Sequence, residues 1–285
     1  MQFEFPGTLG LPDGRYLAWD GSGEEGQRRV LVVETAGAPS PSRRRRRRPK
    51  QAEPGAEPSS LPLTRITAVR AHEPFESGAD AGRWLEDTVA AEDSIDAAVA
   101  DAIGLLNRAL HAQAAAGADP FWGELRTERA TKARIGHGSG EEVAAGRFSE
   151  AREIDLRAGG SRRRRRDEEL RPQERLAAVL GGRDRVDACE TLLLRTRADL
   201  GAGRPREAAL QLRVALEAML VELDGALTDP GHASDMAELE QRRHQAGEAA
   251  NEALRRDLDV ERERQVRELT EICERVLRRR RVLRG

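Results

Sequence analysis

The sequence predicts an α+β protein: an N-terminal, mainly antiparallel sheet with a helical layer, followed by an all-α C-terminal helical domain. Three observations predict it. Short stretches with a two-residue apolar period crowd the first seventy residues and recur between 131 and 157, the period changes to three and four over 78 to 116, and beyond 171 every apolar stripe is helical. At 285 residues the chain can bury two cores. The expected organisation is an α+β domain at 1–157 with a disordered Pro/Arg-rich insertion at about 38–61, an Arg-rich linker at 158–170 and a helical domain at 171–285.

The strands come first. Phe3 and Phe5 alternate with polar residues, an x-P-D-G-x turn follows at Leu11 to Arg15, and RYLAWD places Leu17 and Trp19 two apart, which together read as a hairpin. RRVLVVET, with its apolar run Val30 to Val33, suits a buried strand and completes an expected three-stranded meander. Between Gly37 and Pro62 there is almost no large apolar side chain, so this stretch cannot offset its ordering entropy and reads as a flexible excursion. LTRITAVRA is the next strand and is expected to pair with the first three; ATKARIG and Ala151 to Arg157 supply two more.

Trp84, Leu85, Val89, Ile95, Val99, Ile103, Leu106 and Leu110 follow helical spacing, with Glu92-Asp93-Ser94 placed to cap the second of two helices and Ala118-Asp119-Pro120 to end it. Phe75, Trp84, Phe121 and Trp122 are expected in the core of this region. In the C-terminal part Val186, Cys189, Leu193 and Leu200 line one helix, and Ala209, Leu212, Leu216, Met219 and Leu223 the next. After Asp229 to His232, a longer discontinuous stripe runs through Ala250, Leu254, Leu258, Val266, Leu269, Ile272 and Val276. Gly203 to Ala218 resembles the second helix of a tetratricopeptide repeat, with Ala208, Leu212 and Ala215 in its small-large-small pattern. Arg195, Thr196 and Asp199 stand where the preceding repeat helix has Leu-Gly and Tyr, and no second copy follows, so the segment reads as one ordinary helical hairpin.

Composition narrows the function classes. A formal net charge of -2 is far from that of a domain whose whole surface addresses nucleic acid. Lysine occurs only at Lys50 and Lys132 while arginine, alanine and glycine abound, the usage of a high-GC bacterial genome. Cys189 and Cys273 sit on apolar helix stripes without CxxC or Cys/His spacing and read as reduced core residues. The first residues, MQFEFPGTLGLPDG, lack the pattern of a secretion signal, and no window approaches a run of apolar residues long enough to span a bilayer. Cytoplasmic residence is the expectation.

The stretch that looks most like a site is GHGSGEEVAAGR, residues 136 to 147. Its glycines do not follow G-x-G-x-x-G, Glu141 replaces the lysine of a phosphate loop, and Ser139 lacks the flanking glycines of a nucleophile elbow. Ser139 and Glu142 instead match a capping box, with the hydroxyl accepting from the amide of residue 142 and the carboxylate returning to the amide of Ser139. Gly136, His137, Gly138 and Ser139 are the candidate ligand-binding residues, His137 being the one that capping leaves unused.

Arg43, Arg44, Arg45, Arg46, Arg47 and Arg48, with Arg162, Arg163, Arg164, Arg165 and Arg166, are the candidate polyanion contacts. Arg278 to Arg281 instead complete a helix C-terminus, and His244 with Glu248 reads as a surface pair. No set of side chains has catalytic or metal-binding spacing, and no cofactor is expected. The function expected is therefore a non-enzymatic interaction or adaptor role, with the C-terminal helices binding a protein partner. Two alternatives stand beside it: a non-specific nucleic-acid or polyanion binder acting through the arginine runs, and an enzyme or small-ligand binder using the loop around His137.

Overall fold

The computed structural model describes residues 1–20, 27–37, 61–71, 74–156, 173–225 and 229–284. Two compact units emerge, Met1–Gly160 and Ser161–Gly285. The first is an antiparallel six-stranded sheet with helices; the second, among the described residues, is helical, so the α+β class expected from the sequence is the class observed. The arginine runs at 43–48 and 162–166 lie outside the described residues.

The strands are β1 (Gln2–Pro6), β2 (Gly14–Asp20), β3 (Gln27–Ala36), β4 (Leu63–Arg70), β5 (Lys132–His137) and β6 (Glu150–Ile154), in the order β2-β3-β4-β1-β5-β6. The expected β1–β2 hairpin does not form, and neither does a β1-β2-β3 meander. β1 lies between β4 and β5, while β2 sits at the edge against β3. Burial decides this. Phe3 and Phe5 are fully buried, each worth about 2 kcal/mol of apolar transfer, and Gln2 and Glu4 are buried beside them, whereas Tyr16, Leu17 and Trp19 of β2 are exposed. A strand buried on both faces takes the middle of the sheet. The connection from Gly7 to Asp13 crosses three strand positions, about 14 Å, and is longer than a tight hairpin loop. Leu11 is buried along it, and Thr64 Oγ1 donates to the Gly7 carbonyl at 2.7 Å. β3 and β4 pair across the excursion over a full register from Arg29 opposite Arg70 to Ala36 opposite Leu63.

The register sorts the two faces. Phe3 stands opposite both Ile66 and Ala133, Ile66 opposite Val33, and Ala133 opposite Ile154, giving one apolar row that packs with the stripe of a long helix. The other face is polar: Glu4 Oε1 accepts from Arg65 at 3.2 Å and Arg134 at 3.4 Å, and Gln2 Nε2 donates to Thr67 Oγ1 at 3.1 Å.

Helix α1 (Gly78–Ala90) is capped by Ser77, whose side chain accepts from the Asp80 amide. Helix α2 (Glu92–Gly117) starts from Ala91 without a side-chain cap; Glu92 and Asp93 lie inside its first turn rather than before it, where the dipole still favours them. It ends at Ala118, whose left-handed φ of 50° closes the last carbonyls, as expected at Ala118-Asp119-Pro120. Asn107 then ties α2 to the following loop, exchanging hydrogen bonds of 3.1 and 2.8 Å with the Leu125 backbone. The aromatic residues depart from expectation. Phe121 is 92% exposed and Phe75 is exposed, while Trp84 and Trp122 are half-buried, Trp122 edge-on to His111 at 4.6 Å.

In the second unit a helical stretch at 173–180 (α4) precedes α5 (Ala188–Gly201), α6 (Pro205–Glu222), α7 (Pro230–Ala253) and α8 (Val260–Arg284). Ala208, Leu212 and Ala215 are fully buried where α6 packs on α5, the hairpin the sequence implied. Cys189 and Cys273 are free and buried in the same core, burial pushing both thiols up to about 12. The discontinuous C-terminal stripe becomes two helices folded back on each other, and Leu254 and Val186, expected inside, are exposed in the segments flanking helices. Arg279 pairs with Asp235 at 3.0 Å and Arg280 with Asp187 at 2.5 Å, so the terminal arginines hold the fold rather than reach outward. No helix among the described residues is long and apolar enough to cross a membrane.

Candidate functional site

Because β4 and β5 both run antiparallel to β1, their C-terminal ends emerge together, beside the N-terminal end of β3. Ile66 and Ala133 share a row, so Arg70 and His137, each four residues further on, share a level of the same face two rows along. Arg29 faces Arg70 directly across the β3–β4 ladder. Arg70 and His137 therefore stand two strand spacings apart, roughly 10 Å. All three continue the inward phase of their strands: Arg29 with Leu31 and Val33, Arg70 with Ile66 and Ala68, His137 with Ala133 and Ile135.

At this end the sheet and the helices separate into a cleft of about 1030 Å³. Ala68, Leu105, Ile135 and Val143 supply apolar walls, and Phe75, Trp84 and Phe148 add aromatic ones. Phe75 packs on Trp84 with ring centroids 5.3 Å apart and meets the His137 ring edge-on at 6.5 Å. The volume lies near the upper end of the range for small-molecule sites.

His137 is the polar group nearest the aromatic wall. Its side chain is 12% exposed, Glu150 faces it across the β5–β6 ladder, and the closest approach, Nε2 to Glu150 Oε2, is 3.7 Å, too long for a hydrogen bond. Nε2 is thus shielded from solvent without a hydrogen-bond partner among the described residues. At the other end Asp101 of α2 separates the two arginines, accepting from Arg29 at 2.5 Å and Arg70 at 3.1 Å. Burial pushes the Asp101 carboxyl up, but the two guanidinium bonds outweigh it and hold the group below the usual carboxylate range.

Gly136, His137, Gly138 and Ser139 all line this cleft. The two glycines have a packing reason that owes nothing to phosphate. A Cβ on Gly136 would sit 2.4 Å from the Glu150 carbonyl oxygen, and one on Gly138 would sit 2.9 Å from Val143 Cγ2. The capping box does not form as expected. Ser139 is the N-cap of α3 (Gly140–Ala144), but its hydroxyl donates to Glu142 Oε2 at 2.9 Å and no backbone amide is capped by it. A helix of five residues has little dipole to cap, and Glu141 turns outward to Arg15 at 2.9 Å.

Nothing in the sequence reading singles out Arg29, Arg70 or Asp101, and it places Phe75 and Trp84 in the core rather than at a site. The signal for the arginines was present, a cation in the apolar phase of a strand, though the abundance of arginine concealed it. A second depression of about 580 Å³, at the turn between α7 and α8, is lined by Glu248, Glu252, Arg256 and Arg262 among others, and its charges pair with one another. His244 makes its short contact to the Gln241 carbonyl, not to Glu248. No group of three metal-ligating side chains occurs among the described residues. Compared with protein-family models, curated proteins and solved structures, the chain matches none.

Proposed function

We propose that the N-terminal unit is a binding module for a small molecule, seated in the cleft between the sheet end and helices α1 and α2, with His137 as the anchor. The observation that carries this reading is the His137 Nε2 atom, which is buried without a hydrogen-bond partner among the described residues while its ring lines the cleft. A buried polar atom left unpaired costs about 1 to 3 kcal/mol, and a ligand hydrogen bond recovers it. The test is a ligand-observed NMR screen of a fragment set. Hits are expected to shift the His137 imidazole resonances and to be lost in His137→Leu and in Ala98→Phe, which fills the cleft. Hits indifferent to both substitutions, or no hits, would sink the reading.

The interaction role expected of the C-terminal helices stands as a second reading. Leu176 and Leu180, four apart on α4, and Val214 and Val221, seven apart on α6, present apolar side chains to solvent on single helix faces. A photo-crosslinker at Leu180 or Val214 is expected to give one defined protein adduct in cells. A ladder of diffuse adducts would remove this reading. Cytoplasmic residence and a bacterial source belong to the proposal, on the strength of the composition.

A further inference from the structure

The two edges of the sheet are guarded differently. On β6, Glu150 and Arg152 fall in the phase of Ile154 and pair with each other at 2.7 Å, and charge in the inward phase is one way a sheet edge rejects a further strand. β2 has no such protection. Its run Tyr16-Leu17-Ala18-Trp19 is uncharged and free of proline, with Leu17 74% and Trp19 52% exposed. The ladder shows what this edge offers. The Ala71 amide donates to the Arg28 carbonyl at 3.2 Å, so Arg28 and Val30 turn their backbone groups toward β4, and Arg29, Leu31 and Val33 turn theirs toward β2. Their partners Ala18, Tyr16 and Gly14 are the bonded positions of β2. The amides and carbonyls of Arg15, Leu17 and Trp19 consequently point away from the sheet, and no described strand lies beyond them.

We propose that β2 pairs antiparallel with β2 of a second copy of this chain, about a twofold axis through Leu17. In that register Leu17 meets Leu17, Arg15 meets Trp19 and Tyr16 meets Ala18, so every outward amide and carbonyl of Arg15, Leu17 and Trp19 finds a partner and the whole of Gly14–Asp20 is used. The strand is complementary to itself there. An apolar pair sits on the axis, a guanidinium comes beside an indole as Arg28 already does at 5.3 Å from the Trp19 ring, and a large ring faces a methyl group. Centring the pairing on Arg15 instead sets like charges directly opposite and shortens the ladder. Leu17 stands against Val30 and Val30 against Val69, so the apolar row of that face continues into the second copy. This surface is distinct from the cleft, and the two readings stand or fall separately.

Sedimentation equilibrium of the full chain is expected to show a monomer–dimer equilibrium with a dissociation constant on the order of tens of micromolar, weak because one strand edge buries less than a standard interface. Leu17→Lys and Leu17→Glu each place like charges on the axis, and each is expected to weaken self-association about tenfold or more. Both are expected to keep the circular dichroism of the unmodified chain, since Leu17 is exposed. An equimolar mixture of the two sets opposite charges on the axis and is expected to restore association to near the unmodified value. An unmodified chain that stays monomeric at about 500 μM overturns the proposal. A dimer indifferent to both single substitutions places the interface elsewhere, and a mixture that associates no better than its components removes the axis from Leu17; either result is equally fatal.

Discussion

Arg29, Arg70 and His137 each occupy a position where strand alternation calls for an apolar side chain, and each faces the cleft. Periodicity could have exposed them, since a polar residue in the buried phase of a strand has to find a partner. Asp101 serves two of them, and its depressed pKa fixes the sign of its pH dependence. A carboxylate held below its unfolded value, about 3.9, stabilises the fold fully above that value and loses the contribution as pH falls through the native pKa. Asp101→Asn is therefore expected to lower stability by about 2 kcal/mol at neutral pH, with the deficit against the unmodified protein shrinking below about pH 4. Urea unfolding at both pH values checks this. A deficit that stays constant with pH would mean that Asp101 acts by shape and not by charge. His137 was legible as a residue without a structural task. The surroundings that give it one, Phe75 and Trp84, come from the segment before α1 and from the middle of that helix, which no local spacing connects to a glycine loop more than fifty residues on.

Elements were more legible than their neighbours. Each of the six strands and each of α1, α2, α5 and α6 coincides with a stretch whose periodicity announces it, because alternation is a local property, whereas the one stripe from Ala250 to Val276 divides between the end of α7 and α8. Pairing partners depend on which strand must be buried on both faces, and β1 shows how an x-P-D-G-x signal can begin a strand without closing a hairpin: Tyr16 Oη donates to the Pro12 carbonyl at 2.7 Å, and β2 then runs against β3 alone. Helix caps were similarly displaced. Asp187 has the residue type and position to cap α5 but pairs with Arg280, and Glu222 from the end of α6 accepts from the amides of Ala188 and Cys189 at 3.2 and 3.0 Å instead. Glu222→Ala is expected to cost about 1 kcal/mol, as the loss of an N-cap does, with Glu222→Gln recovering part of it through the remaining amide oxygen. Thermal unfolding of the two variants measures this. A neutral alanine substitution would show that water caps the helix as well.

Over the whole molecule, each of the two clusters of buried apolar side chains draws on one unit only: Phe3 to Ala133 in the first, Cys189 to Leu277 in the second. Residues 171–285 expressed alone are accordingly expected to give a helical circular dichroism spectrum and one cooperative unfolding transition. A non-cooperative melt would show that this unit depends on the rest of the chain. The number of cores was legible in the sequence because two kinds of periodicity occupy separate stretches. The cleft was not, since it arises only where the ends of β3, β4 and β5 come level with the starts of α1 and α2.

The central place of β1 also sets an order of events in time. It leaves the ribosome before either of its neighbours in the sheet, β4 and β5, so Gln2 has to wait for Thr67 and then for Arg134. At ordinary synthesis rates that delay is on the order of ten seconds. Through it, a nascent segment carrying Phe3 and Phe5 has two unpaired edges, the kind of exposed apolar strand that a chaperone shields.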